Sequence, residues 1–169
     1  ADFVEYDIGA ILERTHALFQ SSQIKPKIEL FAPTGGFSTL PRVKCAPEQI
    51  KQVLVNFVQN SVQALMQNPP LDGVIIKVGA AGERRKRDSV YEVVIFVEDN
   101  GKGIPRDHIE KIFIPFFTTT PNGTGLGLPI CSRIIEAHGG SIEVTSEETK
   151  FTRFSVHLPV SENIPGKVV

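Results

Sequence analysis

The sequence predicts an α+β domain in which several strands pair as hairpins and about three long helices cover one face of them. Three observations carry this. Strand-like runs at Gly73 to Ala80 and Val90 to Glu98 flank a short basic loop, and two more, Ser141 to Ser146 and Phe151 to Leu158, close the chain. Apolar residues recur at helical spacing in three separate windows. No internal repeat or linker divides the 169 residues, a length that suits one domain with a sizeable core. Residues 1–160 are expected to form it, with 161–169 as a disordered tail.

Phe3 to Tyr6 reads as a short strand leading into a helix with Ile8, Ile11, Leu12, Thr15, Leu18 and Phe19 on one face. Lys27 to Phe31 alternates as a strand does, and the turn from Pro33 to Gly36 follows it. Leu40 to Cys45 is a second short strand. Pro47 then opens a long helix at a position where proline is well tolerated. After the strand pair comes the loop Asp99 to Pro105, and Asp107 is expected to cap a short helix through Ile112. Phe113 to Gly125 is irregular, and Leu126 to His138 is a helix stopped by Gly139 and Gly140.

Composition narrows the function classes. With 41% hydrophobic residues, 22% charged residues and a net charge of −1, the chain lacks the basic excess of a nucleic-acid or membrane-surface binder. Its basic cluster, Arg84 to Arg87, is a solvated hairpin loop. Cys45 and Cys131 match no metal-ligand spacing and form no disulfide framework, which fits a reduced cytoplasmic location. No apolar run is long enough to span a bilayer, so this domain is expected to touch no membrane. A chain that starts at Ala1 and has its single methionine at Met66 is expected to be a piece of a longer protein, one that can itself be membrane-anchored.

The helix from Pro47 carries the first chemical signal. Ile50, Val53, Leu54, Phe57, Val58, Ser61, Val62 and Leu65 form its apolar face, while after Lys51 no charge appears until Asp72. The other side presents carboxamides, with Asn56, Asn60 and Gln63 as neighbours. Asparagine prefers caps and turns, so two in mid-helix need a reason. A polar solvent face is one reading. The other is a semi-enclosed pocket that wants neutral oxygen ligands, weak ones for Mg²⁺ that need phosphate oxygens to complete the octahedron.

The glycine loops also point to phosphate. Gly123-Thr124-Gly125-Leu126-Gly127 precedes a helix, so free backbone amides and the helix dipole converge there, though a flexible turn is the common alternative. It is neither a P-loop nor the dinucleotide fingerprint. Asp99, beside Gly101 and Gly103, suits a hydrogen bond from an exocyclic amine, or merely starts a turn.

Taken in order, these stretches resemble the ATP-binding catalytic domain of bacterial sensor histidine kinases, in the superfamily shared with gyrase, MutL and heat-shock chaperone ATPases. Val55 to Ser61 is similar to the family's N box, Glu98 to Pro105 to its first glycine box, Ile112 to Thr119 to its F box and Gly123 to Leu128 to its second glycine box. Glu136 to Gly140 and Phe154 to Pro159 also look like the family, and the likeness covers about residues 5–160. Phe116-Phe117-Thr118-Thr119 and Gln63-Ala64-Leu65 look most like the nitrogen-regulation type, with a short lid.

The resemblance implies a two-layer Bergerat fold, with a mixed, mostly antiparallel sheet of about five strands and about three helices on one face. It implies ATP and Mg²⁺ as ligands, with Asn56 and Asn60 as catalytic residues and Asn60 holding the metal. Asp99 would accept from the adenine amino group, with Gly101, Gly103 and Ile104 against the base and Thr152 supporting Asp99. Thr118, Thr119, Gly123, Thr124, Gly125, Leu126, Gly127 and Leu128 would form the lid and phosphate contacts, with Gln63 nearby. Asn56 stands where the family's ATPases have a glutamate base, so hydrolysis should be slow. The γ-phosphoryl would go to a histidine on a dimeric helical domain of the parent, and from there to a response regulator receiver domain. His16, His108, His138 and His157 lie outside any phosphoacceptor context and are expected to pack or face solvent, so the fragment should not phosphorylate itself. Thr120 and Gln63 replace basic residues of related branches, which predicts modest nucleotide affinity. A clamp ATPase like gyrase, or a degenerate nucleotide-binding scaffold, is the alternative.

Overall fold

The computed structural model describes residues 2–21, 27–118, 125 and 127–160. Strand β1 (Val4–Tyr6) pairs antiparallel with β3 (Val43–Cys45) as a separate ribbon. The main sheet has five strands in the order β2 (Lys27–Phe31), β4 (Ile75–Arg84), β5 (Tyr91–Asp99), β7 (Phe151–Pro159), β6 (Ser141–Glu147). Among the described strands only β2 and β4 run parallel, with the long helix α2 (Pro47–Gln67) in the connection between them. The other pairings are antiparallel, so the expected mixed sheet is present.

Helices α1 (Ile8–Gln20), α2 and α4 (Gly127–Ala137) pack on one side of this sheet. Asp7 caps α1 by accepting from the Gly9 N–H at 2.8 Å. The apolar stripe of α2 buries Leu54, Phe57 and Leu65 completely against Ile95, Val97 and Phe154, and Phe57 stacks on Phe154 at 4.8 Å. Each such side chain contributes about 1.5–3 kcal/mol of transfer free energy. No helix of the described residues is long and apolar enough to cross a membrane.

Alternation along β5 explains the two faces. Val93, Ile95 and Val97 point into the helical layer, whereas Phe96 and Glu98 lie on the opposite face. On that face Glu98 bridges Lys77 at 3.9 Å and Arg153 at 3.4 Å from the neighbouring strands. Arg153 also lies 3.9 Å over the Phe96 ring. At the far end of the same face Glu92, only 3% exposed, is held by His157 Nδ1 at 3.0 Å, and Nε2 of that ring lies 3.3 Å from Glu143.

Several boundaries differ from the sequence reading, among them the start of β3 at Val43 and not Leu40 and that of β4 at Ile75 and not Gly73, and three more are informative. Strand β4 continues to Arg84 instead of stopping at Ala80, because Ala81 to Arg84 find register partners in Tyr91 to Val94. Glycine and charge there cost less than the lost ladder. The helix expected to run from an Asp107 cap to Ile112 is the single turn α3 (Arg106–Ile109). Extended Pro105 holds the cap position, which puts Asp107 inside the first turn, and no side chain caps it. Third, α4 (Gly127–Ala137) ends one residue before the expected His138, while the expected start at Leu126 lies outside the described residues. Its stop is as expected: Gly139 has φ +72° and the Gly140 N–H returns to the Ile135 carbonyl. The expected tail, 161–169, lies outside the described residues.

His138 is a packing residue with a specific task. Its Nδ1–H donates to the Ile134 carbonyl at 2.7 Å, which leaves Nε2 to accept from the Ala46 N–H at 3.0 Å. The neutral ring thereby ties the end of α4 to the residue that opens α2, and Phe3 stacks on it at 4.4 Å.

Candidate functional site

The site forms where β5 ends beneath α2. Asp99 is the last residue of β5, not the first residue after it, and shares the inward parity of Val97, so its carboxylate meets the helix. It is 5% exposed. Ser61 Oγ donates to Oδ2 at 2.8 Å, and the Gly101 N–H donates to Oδ1 at 2.9 Å. Burial pushes the carboxyl pKa above its ordinary value, the nearby Glu98 charge adds to this, and the two hydrogen bonds pull the other way. Each oxygen keeps a further lone pair, so the group remains a hydrogen-bond acceptor in an apolar surround.

The loop after Asp99 is clamped from two sides. Asn100 Oδ1 accepts from the Ile75 N–H at 2.9 Å and its Nδ2 donates to the Gly73 carbonyl at 2.8 Å, which fixes the loop to the start of β4. Across the gap the Thr149 N–H donates to the Lys102 carbonyl at 2.7 Å. The Ile104 N–H donates to Ser146 Oγ at 2.8 Å. Because Ser146 gives its own proton to the Phe151 carbonyl at 2.9 Å, the Thr152 hydroxyl, 3.2 Å away, donates to Ser146. Thr152 is the register partner of Asp99 and is buried, so its hydroxyl reaches this clamp. Gly103 is required twice over: φ is +74°, and a Cβ there would come within 2.5 Å of the Glu147 carbonyl oxygen.

On α2 Asn56 faces the seam with α4, whereas Gln63 faces open water. Asn56 and Asn60 are half-buried and Gln63 is exposed. Asn56 Nδ2 donates to Cys131 Sγ on α4 at 3.4 Å. Asn60 has no hydrogen-bond partner among the described residues. Beyond the seam, the Phe116 N–H donates to the Gly125 carbonyl at 3.0 Å. Phe116 itself has φ +68° and is 74% exposed, whereas Phe113 and Phe117 pack against the core. Thr118 is exposed, and Ile104 and Leu128 pack against the core. Thr119, Thr120, Gly123, Thr124 and Leu126 lie outside the described residues.

Sequence reasoning placed Ser61 in the apolar stripe and did not single out Ser146. Ser61 is indeed buried, 2% exposed, but its hydroxyl serves Asp99. A hydroxyl inside an otherwise aliphatic stripe was the available signal, since such a group needs a buried partner. Ser61→Ala is expected to cost about 1.5 kcal/mol of stability at neutral pH, because the buried carboxylate loses a donor. Below the ordinary carboxyl range the loss should shrink. Urea unfolding at pH 7 and at low pH checks both statements, and equal losses at the two would mean the ionised form is not what Ser61 supports.

Known proteins resemble this chain in sequence and in fold. The family described as histidine kinase-, DNA gyrase B- and HSP90-like ATPase matches residues 45–162. The sensor histidine kinase ZraS of Escherichia coli O157:H7 is 42% identical over 123 residues, covering 73% of this chain and 24% of that protein. Sporulation kinase D of Bacillus subtilis (strain 168) is 38% identical over 119 residues, 70% of this chain and 21% of its own length. The chain thus spans about a quarter of these curated relatives. The nucleotide-free catalytic domain of the histidine kinase ThkA superposes with a TM-score of 0.73 at 31% identity, over 94% of this chain and 96% of that one. Full-length ShkA in complex with AMPPNP gives 0.71 at 25% identity, over 93% of this chain and 31% of ShkA. The ordered motifs, the five-stranded sheet with its one helical layer and these likenesses agree: the chain belongs to the histidine kinase-, DNA gyrase B- and HSP90-like ATPase family and is homologous to the sensor histidine kinases.

Proposed function

We propose that this domain binds MgATP and donates the γ-phosphoryl group to a histidine on a separate helical dimerisation domain, for onward transfer to the receiver domain of a response regulator. The observation that carries the reading is Asp99, a buried carboxylate oriented by Ser61 and Gly101 at the mouth of a glycine loop. A fixed acceptor there takes the exocyclic amine of adenine, while guanine would present a carbonyl oxygen to it. Ile104 and the glycine-flanked backbone then lie against the base, with Thr152 and Ser146 bracing the loop from behind.

The residues on the amide side fit a magnesium–phosphate group. Asn56 and Asn60 are neutral oxygen donors in a half-buried seam, where full charges would be costly to desolvate. Asn60 is the proposed metal ligand and Gln63 sits at the rim. When bound, the cation neutralises phosphate charge, so transfer rests on positioning and electrostatics. Backbone amides of Gly125 to Leu128 at the start of α4 would meet the phosphates, with Thr118, Thr119, Gly123 and Thr124 completing the lid. Asn56 cannot accept a proton, which spares the nucleotide from activated water. The four histidines support an external acceptor: His16 bonds the Ile28 carbonyl, His108 packs on Phe117, His138 joins two helices and His157 pairs with Glu92. Exposed Phe116, beside Ile114 at 53% exposure, offers an apolar docking surface for the acceptor domain.

Calorimetric titration tests this with ADP and a non-hydrolysable ATP analogue, with and without Mg²⁺, and with GTP as competitor. Magnesium-assisted, adenine-selective binding in the micromolar to millimolar range is expected. No binding of any nucleotide would leave a family fold with a degenerate pocket, and rapid turnover of ATP by the wild type would favour a clamp ATPase instead. Asn60→Asp is expected to change the Mg²⁺ dependence of binding and leave adenine selectivity intact. An unchanged Mg²⁺ titration would place the metal on other residues.

A further inference from the structure

The contact between Asn56 and Cys131 connects α2 to α4 at the seam where the amides lie. Cys131 is 0% exposed and sits on the inward side of α4. Its thiol lies 4.0 Å from the Val53 carbonyl, one turn before Asn56 on α2, so the thiol hydrogen turns toward that oxygen. The sulfur lone pairs are then left to accept the Asn56 N–H at 3.4 Å. A carboxamide has one donating arm and one accepting arm. Once the nitrogen is committed to sulfur, the oxygen must occupy the other arm.

We propose that Cys131 is a positioning residue for Asn56, holding its carboxamide so that the oxygen and not the nitrogen faces the nucleotide side of α2. This rests on the MgATP reading above. For a helix face that is to meet a cation and its phosphates, the orientation decides the sign of the interaction: an amide oxygen attracts Mg²⁺ or a water bound to it, whereas an NH₂ group repels it. Asn56 makes no other hydrogen bond among the described residues, so no second contact fixes the choice. Burial holds the thiol pKa up at about 11, which keeps the thiol in its protonated form. The contact therefore survives across the physiological range, and a thiolate never sits beside the phosphates.

Cys131→Ala removes the acceptor at small cost in volume, and Cys131→Ser restores an acceptor of similar size. The first readout uses the nucleotide-free protein: the Asn56 side-chain NH₂ pair in an amide ¹H–¹⁵N spectrum, identified by its loss in Asn56→Ser. It is expected to shift in Cys131→Ala and to be restored toward a bonded position in Cys131→Ser. The second is the ratio of ADP affinity with Mg²⁺ to affinity without it, expected to fall about fivefold in Cys131→Ala, the size of one modest hydrogen bond, and to recover in the serine variant. The preference for ADP over GDP should stay at the wild-type value in both, which shows that the pocket is still built. An unmoved NH₂ pair, or a full Mg²⁺ effect in Cys131→Ala, overturns the role of Cys131. A wild-type protein without any Mg²⁺ effect instead overturns the nucleotide reading, and the spectrum still reports the contact.

Discussion

Asp99→Asn is expected to abolish the preference for adenine over guanine nucleotides and to weaken ADP binding by about 10- to 150-fold, the range of one hydrogen bond to a charged group. The fold should survive, because the amide oxygen can still accept from the Gly101 N–H and the Ser61 hydroxyl can turn to accept from the new NH₂. Stability should rise at neutral pH. The carboxyl pKa is raised in the folded protein above the ordinary 3.8, mainly by burial, so the folded state holds its proton more tightly than the unfolded chain. Its contribution to stability is complete below about pH 3.8 and is lost as pH rises through the folded pKa. Asparagine has no such loss, so the stability difference should grow in favour of the variant from pH 4 to pH 7. Titration calorimetry and urea unfolding on the same samples test the pair of outcomes. A variant that retains ATP-over-GTP preference would remove Asp99 from base recognition, and one that loses stability as pH rises would show that burial is not the dominant influence on its carboxyl.

That buried carboxylate at the end of the central strand is where sequence and structure inform each other most. The sequence showed an aspartate followed by two glycines and a helix face of amides, because both are compositional departures visible without coordinates. It could not show that Ser61 and Asp99, 38 positions apart, share a hydrogen bond, since that depends on the registration of α2 over β5. The same limit hid Cys131: its spacing on α4 is that of any core residue, and only helix packing turns it toward Asn56. Strand ends were misplaced for a related reason. The extension of β4 to Arg84 is set by its partner strand, not by its own glycine and charged residues. At α3 the cause is local, because the extended backbone of Pro105 takes the cap position ahead of Asp107. Helices fared better, because the apolar period on α1 and α2 and the glycine stop after α4 act within one segment.

A large structural effect of a single substitution is expected at Gly103. A methyl group there would come within 2.5 Å of the Glu147 carbonyl oxygen and 2.9 Å of the Glu148 Cα, both backbone atoms of the turn between β6 and β7. Neither can rotate away as a side chain would. The turn is also pinned, by Thr149 N–H on the Lys102 carbonyl and by Ser146 beneath the Ile104 N–H. Gly103→Ala must therefore push the loop after Asp99 off the hairpin and break some of these bonds, in addition to the strain of a side chain at φ +74°. Gly73→Ala separates the two contributions, because Gly73 has φ +92° and nothing within 4 Å of an added Cβ. Strain alone should cost Gly73→Ala about 1 kcal/mol, whereas Gly103→Ala should lose about 3 kcal/mol or more. The same displacement would carry Ile104 and the Gly101 N–H away from their places around Asp99, so nucleotide binding should fall with stability in Gly103→Ala and stay intact in Gly73→Ala. Equal losses of stability in the two variants would mean that the hairpin yields to the methyl group, and that the loop's place beside Asp99 is set by its connection to β4 alone.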